Sequence, residues 1–563
     1  MNYATGDPAL LPLVERYLDA ADRELLTPLL LDLGRDLDER LAELADMADK
    51  NPPSLEHFDR DGSRVDRILY HPSYLELSEA AYETYGLSAL SHRGIHGWEG
   101  TPPHLAKYIL SYLFVQAEFG LACPVSMTDA AARTLRKFGD PQLFDEYIEK
   151  LTSTTPGERY TGAMFMTETQ AGTDIAMTET RAVRDGNAWR LTGKKWFTSN
   201  PDADVVLTLA RYPGGDDTTR GVGLFMLPKV LPDGTRNSYV IDRLKDKFGT
   251  RSMPSGEITL DGAWALQVGE LNRGFRQMAE MINTSRLSNA MRAAALMRRS
   301  VKEAVEHSRQ RVVFGKALID QPLMRMTLLP LQLEAEAALG MVFHAGDVLE
   351  RADAGDQLAK DQIRVLTPIA KHYICKRVRW VAGESMEVRG GNGYIEDWPN
   401  TRLVRDSHLG SIWEGSSNVI ALDVLRCLRK FNAHRVLAES MHAKLQPLQA
   451  TDAAPGAQQL VGAFESLVAR GDALLEADDA TAQALIGRYT DDLARNIMGV
   501  LLLEQAQHEL EIAGNYRKLL VANSYLAMVL GEVNGSMPEA VNWVQQIADG
   551  AEVPRDAALK VLK

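Results

Sequence analysis

From Leu11 to Leu151 apolar residues recur at three- and four-residue intervals, as in LLLDLGRDLDERLAELADMA, which predicts amphipathic helices. Asn51-Pro52-Pro53 and Pro102-Pro103 interrupt the pattern and mark helix ends. Near Tyr160 the period shortens to two. AWRLTG, ADVVLTLAR, VGLFMLP and GEITLDG follow one another across turn residues such as Asp185-Gly186-Asn187 and Pro213-Gly214-Gly215, which predicts a compact β unit. From about Gly274 the helical period returns and runs to Arg429, reading as one bundle. Beyond Asn432 lie further amphipathic segments, joined by a looser Pro447–Gln458 linker. The expected divisions are 1–160 (helical), 161–273 (β), 274–431 (helical bundle) and 432–563 (an appended helical domain).

A chain of 563 residues is too long for one core, in keeping with that division. The three cysteines, Cys123, Cys375 and Cys427, are widely separated and odd in number. They indicate neither a disulfide framework nor a thiolate metal site, and they are expected to be buried. The amino terminus lacks a basic segment followed by an apolar run, and no stretch reads as a bilayer span, so the cytoplasm is the expected compartment. His92 and His96 have helical spacing, but Gly94 lies between them and no carboxylates surround them, which argues against a metal site.

Several segments carry chemistry. In MTETQAGTD, Thr167 precedes a turn at Ala171-Gly172 and Thr173 follows it, gathering hydroxyls and backbone N–H groups. Alone, such a segment is commonly a capped turn. In KKWFTS, strand alternation puts Trp196 and Thr198 on one side, where an indole beside a hydroxyl suits a planar heterocycle; alone, a strand Trp is more often core. Arg311 in RVVFG could pair with a pyrophosphate, and Gly390, Gly391 and Gly393 permit close approach of backbone to phosphate. No G-x-G-x-x-G after a strand and no phosphate-binding Gly-Lys-Ser/Thr is present, so nicotinamide-dependent and nucleotide-hydrolysing functions have no support. In SIWEGSSNVIALDVLR, Glu414 lies just before a helix expected to start at Ser416 or Ser417, where the helix dipole favours an anion. Capping is one use of such a carboxylate. Proton abstraction is another, given burial against Trp413 to lift its basicity.

Taken in order, MTETQAGTD, KKWFTS, RVVFG, MEVRGGNGY and IWEGSSN resemble the corresponding segments of acyl-CoA dehydrogenases, a likeness that covers Leu105 to Lys430. NPPSLEHFDRDGSRVDRILYHPSY, LPDGTRN, KDKFGTRS and the appended helices resemble the AidB-type, alkylation-response branch. The resemblance implies a mostly helical fold with a central β-barrel between two helical bundles. It implies an FAD cofactor contacted by Met164, Thr167, Thr173, Trp196, Thr198, Arg311, Phe314, Gln321, Glu387, Gly390, Gly391, Ser416 and Asn418, with part of the set acting across a subunit contact in a homotetramer. Glu387 stands where the family usually has Gln, and a neighbouring cation, Arg389 or Arg311, would have to compensate it. By the same resemblance Glu414 is the catalytic base, removing the α-proton of an acyl-CoA thioester as hydride leaves for flavin N5. Arg286 and Trp413 lie at the substrate, and an electron-transfer flavoprotein is the acceptor. The family's other base position is occupied by Ser285, which leaves Glu414. Trp413 replaces a usual Tyr and would narrow the pocket.

A rival function, binding of double-stranded DNA through the appended domain with little acyl-CoA turnover, can be weighed by charge. Residues 432–563 hold 10 Lys and Arg against 17 Asp and Glu, half of the chain's net charge of −14. An acidic domain disfavours phosphate binding. The remaining route is a local face gathering Arg488, Arg495, Arg517 and Lys518; oligomerisation is the plainer use of these helices.

Overall fold

The computed structural model describes residues 2–531 and 538–562. Its internal contacts divide the chain into two compact bodies: Met1–Asp38 with Asn289–Lys563, and Glu39–Ser288. The first begins with α1 (Leu10–Tyr17) and α2 (Ala20–Asp36). Asp19 caps α2 by accepting the Asp22 N–H at 2.9 Å, satisfying one of the N–H groups that a helix start leaves open.

The second body opens with α3 (Ala42–Lys50), β1 (Ser54–Phe58), β2 (Arg64–Leu69) and α4 (Pro72–Glu79), then α5 (His104–Val115), α6 (Ala122–Phe138) and α7 (Pro141–Leu151). The β1–β2 hairpin corrects the all-helical reading of this stretch. Pro52-Pro53 ends α3, and Asp59-Arg60-Asp61-Gly62 turns the chain, with Gly62 at φ 83°. Asp66 of β2 is buried and accepts the Ile241 N–H at 3.0 Å, while Arg64 donates to the Ile241 carbonyl at 3.1 Å. Burial alone would raise the Asp66 carboxyl; hydrogen bonds from His57, Arg64 and Ile241 outweigh it and hold the group below its ordinary range.

Seven strands follow: β3 (Gly162–Phe165), β4 (Arg181–Asp185), β5 (Ala188–Ser199), β6 (Val205–Arg211), β7 (Val222–Pro228), β8 (Tyr239–Leu244) and β9 (Ser255–Gln267). Pairing runs β6-β4-β5-β9-β7 and returns from β7 to β6, closing a ring, with β3 attached to β6 and β8 to β9. Closure removes exposed edges from the ring. The alternating strands expected for this segment thus form a barrel; β7 is buried at every position, so both of its faces are covered, and Trp189 meets Phe225 edge-on at 5.4 Å.

Helix α8 (Gly274–Gln310) carries the chain into the rest of the first body, where β10 (Val312–Val313) and β11 (Lys316–Ala317) form a hairpin. Then come α9 (Pro322–Asp353), α10 (Gln357–Val388), α11 (Asn400–Leu409), α12 (Ser417–Phe431), α13 (Ala433–Leu445), α14 (Ala454–Glu476), α15 (Asp479–Ala513), α16 (Arg517–Leu530), α17 (Val544–Asp549) and α18 (Arg555–Lys560). The expected loose linker is tighter than its composition implied: Pro447–Ala450 form a helical turn and α14 starts at Ala454. Helix α15 packs against α9, α10, α12, α14 and α16, so the appended helices join the bundle directly. Among the described residues α9 is the one helix long and apolar enough by length and composition to cross a membrane, and 83% of its most apolar stretch is buried inside the protein, which accounts for its hydrophobicity. The three cysteines are buried.

The candidate DNA face fails as drawn. Arg517 is 1% exposed and Lys518 fully buried. Arg517 donates to Glu336 of α9 and to the Ile547 carbonyl, and Lys518 reaches Glu336 at 2.7 Å. Burial would raise the Glu336 carboxyl; the two cations instead bring it down to about 2. Arg495 pairs with Asp492 at 3.5 Å, and Arg488 is exposed. The basic pair is used inside the protein, and the four cations present no common face to a duplex.

Candidate active site

In the barrel body, the MTETQAGTD segment runs from the end of β3 into a turn and is tied to β5 by a hydrogen bond from the Trp196 N–H to the Thr167 carbonyl at 2.8 Å. Glu168, 3% exposed, anchors it. Its carboxylate accepts the Glu179 N–H at 2.7 Å, the Thr180 hydroxyl at 2.6 Å and the Lys195 ammonium at 2.7 Å. Lys195 also donates to the Leu209 carbonyl at 2.8 Å, joining β5 to β6. Burial opposes the charge on Glu168, but Lys195, Thr180 and Glu179 prevail and keep it ionised below the ordinary carboxylate range. Gly193 is required beside them, since a Cβ there would lie 2.5 Å from the Thr180 hydroxyl. Sequence reasoning missed Glu168 and Lys195. A lysine in an otherwise apolar strand phase, with a glutamate in the neighbouring loop, was the available signal.

Thr167 and Met164 are half-buried, Thr173 is exposed, and the Thr167 methyl would lie 3.7 Å from a Cβ on Gly172. Thr198 is buried and donates to the Gly256 carbonyl at 2.8 Å. The β5–β9 ladder pairs Lys195 with Ile258 and Thr198 with Gly256, so Trp196 and Phe197 together oppose only Glu257. Because of this bulge, simple alternation does not relate Trp196 to Thr198. Lys245 lies 3.3 Å from the Trp196 ring centroid and pairs with Glu257 at 2.6 Å, adding a cation to the site that the sequence did not reveal. Arg286, on the part of α8 in this body, is half-buried and donates to Asn283 at 3.3 Å.

In the other body, Glu414 lies in the turn between α11 and α12. Ser416 is the N-cap of α12, as the sequence indicated, and Glu414 stands two residues before it. Its φ is 56°, in the left-handed region that non-glycine residues seldom adopt, and Gly415 follows at 96°. Such a conformation persists where the surroundings over-determine it. Here they do. The Asn289 amide donates to the Gly410 carbonyl at 2.9 Å, the Lys371 ammonium to the Gly415 carbonyl, and His372 Nδ1 lies 3.0 Å from the Ser417 carbonyl. The fully buried Arg292 guanidinium sits 4.6 Å from the Trp413 ring centroid, fixing the indole that precedes Glu414. Lys371, His372 and Arg292 lie within long helices and gave no sequence signal. Ser416 and Asn418 are exposed at the start of α12.

Arg311 follows α8 and is exposed. The β10–β11 hairpin turns through Phe314 and Gly315 at φ 50° and 77°, a two-residue turn that leaves Phe314 97% exposed. Gln321, at the start of α9, donates to the Val313 carbonyl at 3.0 Å. Glu387, in the last turn of α10, and Gly390 and Gly391 just after that helix are exposed, and a Cβ on either glycine would meet open space. Arg389 is not the compensating cation for Glu387: its guanidinium is buried on Glu303 at 2.6 Å and Asn400 at 2.7 Å. Among the described residues, no group of three or more His, Cys, Asp or Glu is arranged to hold a metal.

Comparison with known proteins matches three family descriptions in chain order: the Adaptive response protein AidB N-terminal domain over 1–156, the acyl-CoA dehydrogenase middle domain over 163–263, and the acyl-CoA dehydrogenase C-terminal domain over 272–428. The Escherichia coli (strain K12) protein AidB is 36% identical over 447 residues, 76% of this chain and 78% of its own. The structure of Caenorhabditis elegans ACDH-11, solved in complex with C11-CoA, superposes with a TM-score of 0.83 at 27% identity, over 98% of this chain and 92% of its own. Butyryl-CoA dehydrogenase from Megasphaera elsdenii, at 22% identity and a TM-score of 0.60, shares the fold over 73% of this chain and 98% of its own.

Proposed function

The chain belongs to the acyl-CoA dehydrogenase family and carries an AidB N-terminal domain; from this premise we propose that it is an FAD-dependent dehydrogenase of acyl-CoA thioesters, with Glu414 as its base. The likeness to a protein solved with C11-CoA supports an acyl-CoA substrate. The residues present fit a flavin: a half-buried indole, a hydroxyl-bearing turn anchored to β5, and glycines whose backbone is open to phosphate. We assign Met164, Thr167, Thr173, Trp196, Thr198, Arg311, Gln321, Gly390, Gly391, Ser416 and Asn418 to its binding, with Phe314 serving a neighbouring copy. Glu387 is retained in that set as an anion offset by Arg311, since Arg389 is engaged elsewhere. When bound, the flavin supplies the hydride acceptor.

The remaining roles fall to the chain itself. Glu414 takes the α-proton onto its carboxylate, and its backbone N–H donates to the thioester oxygen, where negative charge develops as the proton leaves. Trp413 excludes water from the base, and Arg286 orients the thioester. The observation that carries this reading is the glutamate held at φ 56° in a turn whose carbonyls are bonded by buried side chains from α8 and α10. Ser416 occupies the N-cap position of α12 without a side-chain capping bond, and the conformation of Glu414 is tied instead to the bonded carbonyls on either side of it.

A homotetramer fits the apolar surface left by Phe314, Val312 and Leu323, which are 97%, 63% and 83% exposed. An electron-transfer flavoprotein is the proposed acceptor. The test is anaerobic titration of the FAD-loaded protein with acyl-CoA thioesters. Wild type is expected to lose its flavin colour and Glu414→Gln to keep it; bleaching of both at one rate would remove Glu414 from the base role.

A further inference from the structure

His92 and His96 are not arranged as metal ligands, but His92 has a precise setting of its own. It lies in residues 85–103, a stretch without helix or strand that leads into α5 and is longer than connections in compact bodies commonly are. Its ring is 2% exposed and is held from two sides by α6. Nε2 lies 2.9 Å from the Asp129 carboxylate, and the Arg136 guanidinium, two turns along the same helix, lies 2.7 Å from Nδ1. A guanidinium only donates, so Nδ1 accepts and carries no hydrogen; the hydrogen is on Nε2, where the carboxylate accepts it. Both contacts therefore select the same tautomer of the neutral ring.

The Lys107 ammonium of α5 reaches the other carboxylate oxygen of Asp129 at 2.7 Å. Burial opposes the charge on Asp129, but Lys107 and His92 outweigh it and hold the carboxyl well below the usual range. Charging His92 would put an N–H on Nδ1 against a guanidinium, which has no acceptor, and add a second positive charge beside Arg136. Burial pushes the imidazole below its ordinary 6.5; Asp129 pulls the other way, and Arg136 and Lys107 add to the depression. The remaining charged neighbours are otherwise engaged or lie further along the surface. Arg93 donates to the Thr152 hydroxyl at 2.6 Å and to the Glu149 carbonyl at 2.8 Å at the end of α7, Arg133 of α6 pairs with Glu280 at 2.8 Å, and Asp145 of α7 acts on Arg136. His96, in the same stretch, is also held below its ordinary value by burial.

We propose that His92 is an acid-released latch: neutral, it bridges Asp129 and Arg136 and pins residues 85–103 to α6; charged, it turns an N–H toward the guanidinium and lets that stretch go. Because the folded value is depressed, the stabilisation is fully present above pH 6.5 and is lost as pH falls below it.

The test is backbone hydrogen exchange of the full chain at about pH 7.5 and about pH 5, corrected for the pH dependence of the chemical step, on wild type, His92→Gln and Arg136→Met. Gln keeps a donor for Asp129 and an acceptor for Arg136 and does not titrate. In wild type, exchange across 85–103 should run about 10- to 100-fold faster at the lower pH, the scale of losing one hydrogen bond to a charged group, while α5 and α6 keep their protection. His92→Gln should stay protected at both pH values, and Arg136→Met should exchange fast at both. Equal wild-type exchange at the two pH values would overturn the proposal. Acid opening retained in His92→Gln would assign the effect to another group, such as His96, and overturn it too. So would α5 and α6 opening together with 85–103, the mark of general acid unfolding, and so would an Arg136→Met protein as protected as wild type at neutral pH.

Discussion

Glu168 and Glu414 both stand in turns of candidate motifs, and the contacts that define the two turns differ. Glu168 is fixed through its side chain: Lys195, the Thr180 hydroxyl and backbone N–H groups converge on the carboxylate and keep it ionised. Glu414 is fixed through its backbone, with the neighbouring carbonyls of Gly410, Gly415 and Ser417 bonded and φ held at 56°. A carboxylate surrounded by donors is a scaffold, because protonating it would break the network. A carboxylate on a fixed backbone can change protonation while its position is maintained. On the proposed assignment, the difference separates an anion that builds a site from one that reacts in it.

Substitutions at the two residues should therefore part activity from stability. The largest effect expected is at Glu414: replacement by Gln should lower the limiting rate of flavin reduction by about 10³-fold, within the range of general-base contributions. Its midpoint of chemical denaturation should barely move. Glu168→Ala should do the reverse at the level of folding, costing about 3–5 kcal/mol in denaturant titrations by stranding Lys195 in the barrel, and it should lose flavin on gel filtration. Glu414→Gly sharpens the contrast further. Glycine accepts positive φ without strain, so this variant should be more stable than wild type by about 1 kcal/mol while failing to reduce flavin.

Acid should act on the scaffold anions. Glu336, at about 2 when folded against an ordinary 4.5, contributes stability that is fully present above pH 4.5 and is lost as pH falls toward 2. Glu168, also depressed, works in the same direction. Thermal melting followed from pH 5 down to 2.5 should show a steep decline, and Glu336→Gln, already destabilised, should show a shallower one. The smallest effect is at Lys245, whose ammonium lies over Trp196: Lys245→Met should change stability by less than about 1 kcal/mol.

Much of this was legible in the chain. The helical period located the long helices, and Ser416-Ser417 after Glu-Gly gave the start of α12, because the preference of Ser for a helix entrance depends on nearby residues alone. The β1–β2 hairpin was also legible, since alternation in LEHF and RVDRIL flanks a Gly turn, but the helical pattern on both sides masked it. The bulge at Trp196 was not, because it is set by pairing with β9. Nor was the fate of Lys518, whose partner Glu336 lies 182 residues away; helical pattern shows where a basic residue falls on its own helix, not which acid another helix brings to it. The same reason hid His372, whose contact with the Ser417 carbonyl depends on α10 packing against α12.

The most direct test of the central claim is the visible spectrum of wild type and Glu414→Gln, matched in FAD content, through an anaerobic titration with short, medium and long acyl-CoA thioesters. The account predicts that at least one chain length bleaches the wild type while Glu414→Gln binds the same thioester and stays yellow. Bleaching of Glu414→Gln at the wild-type rate would contradict it.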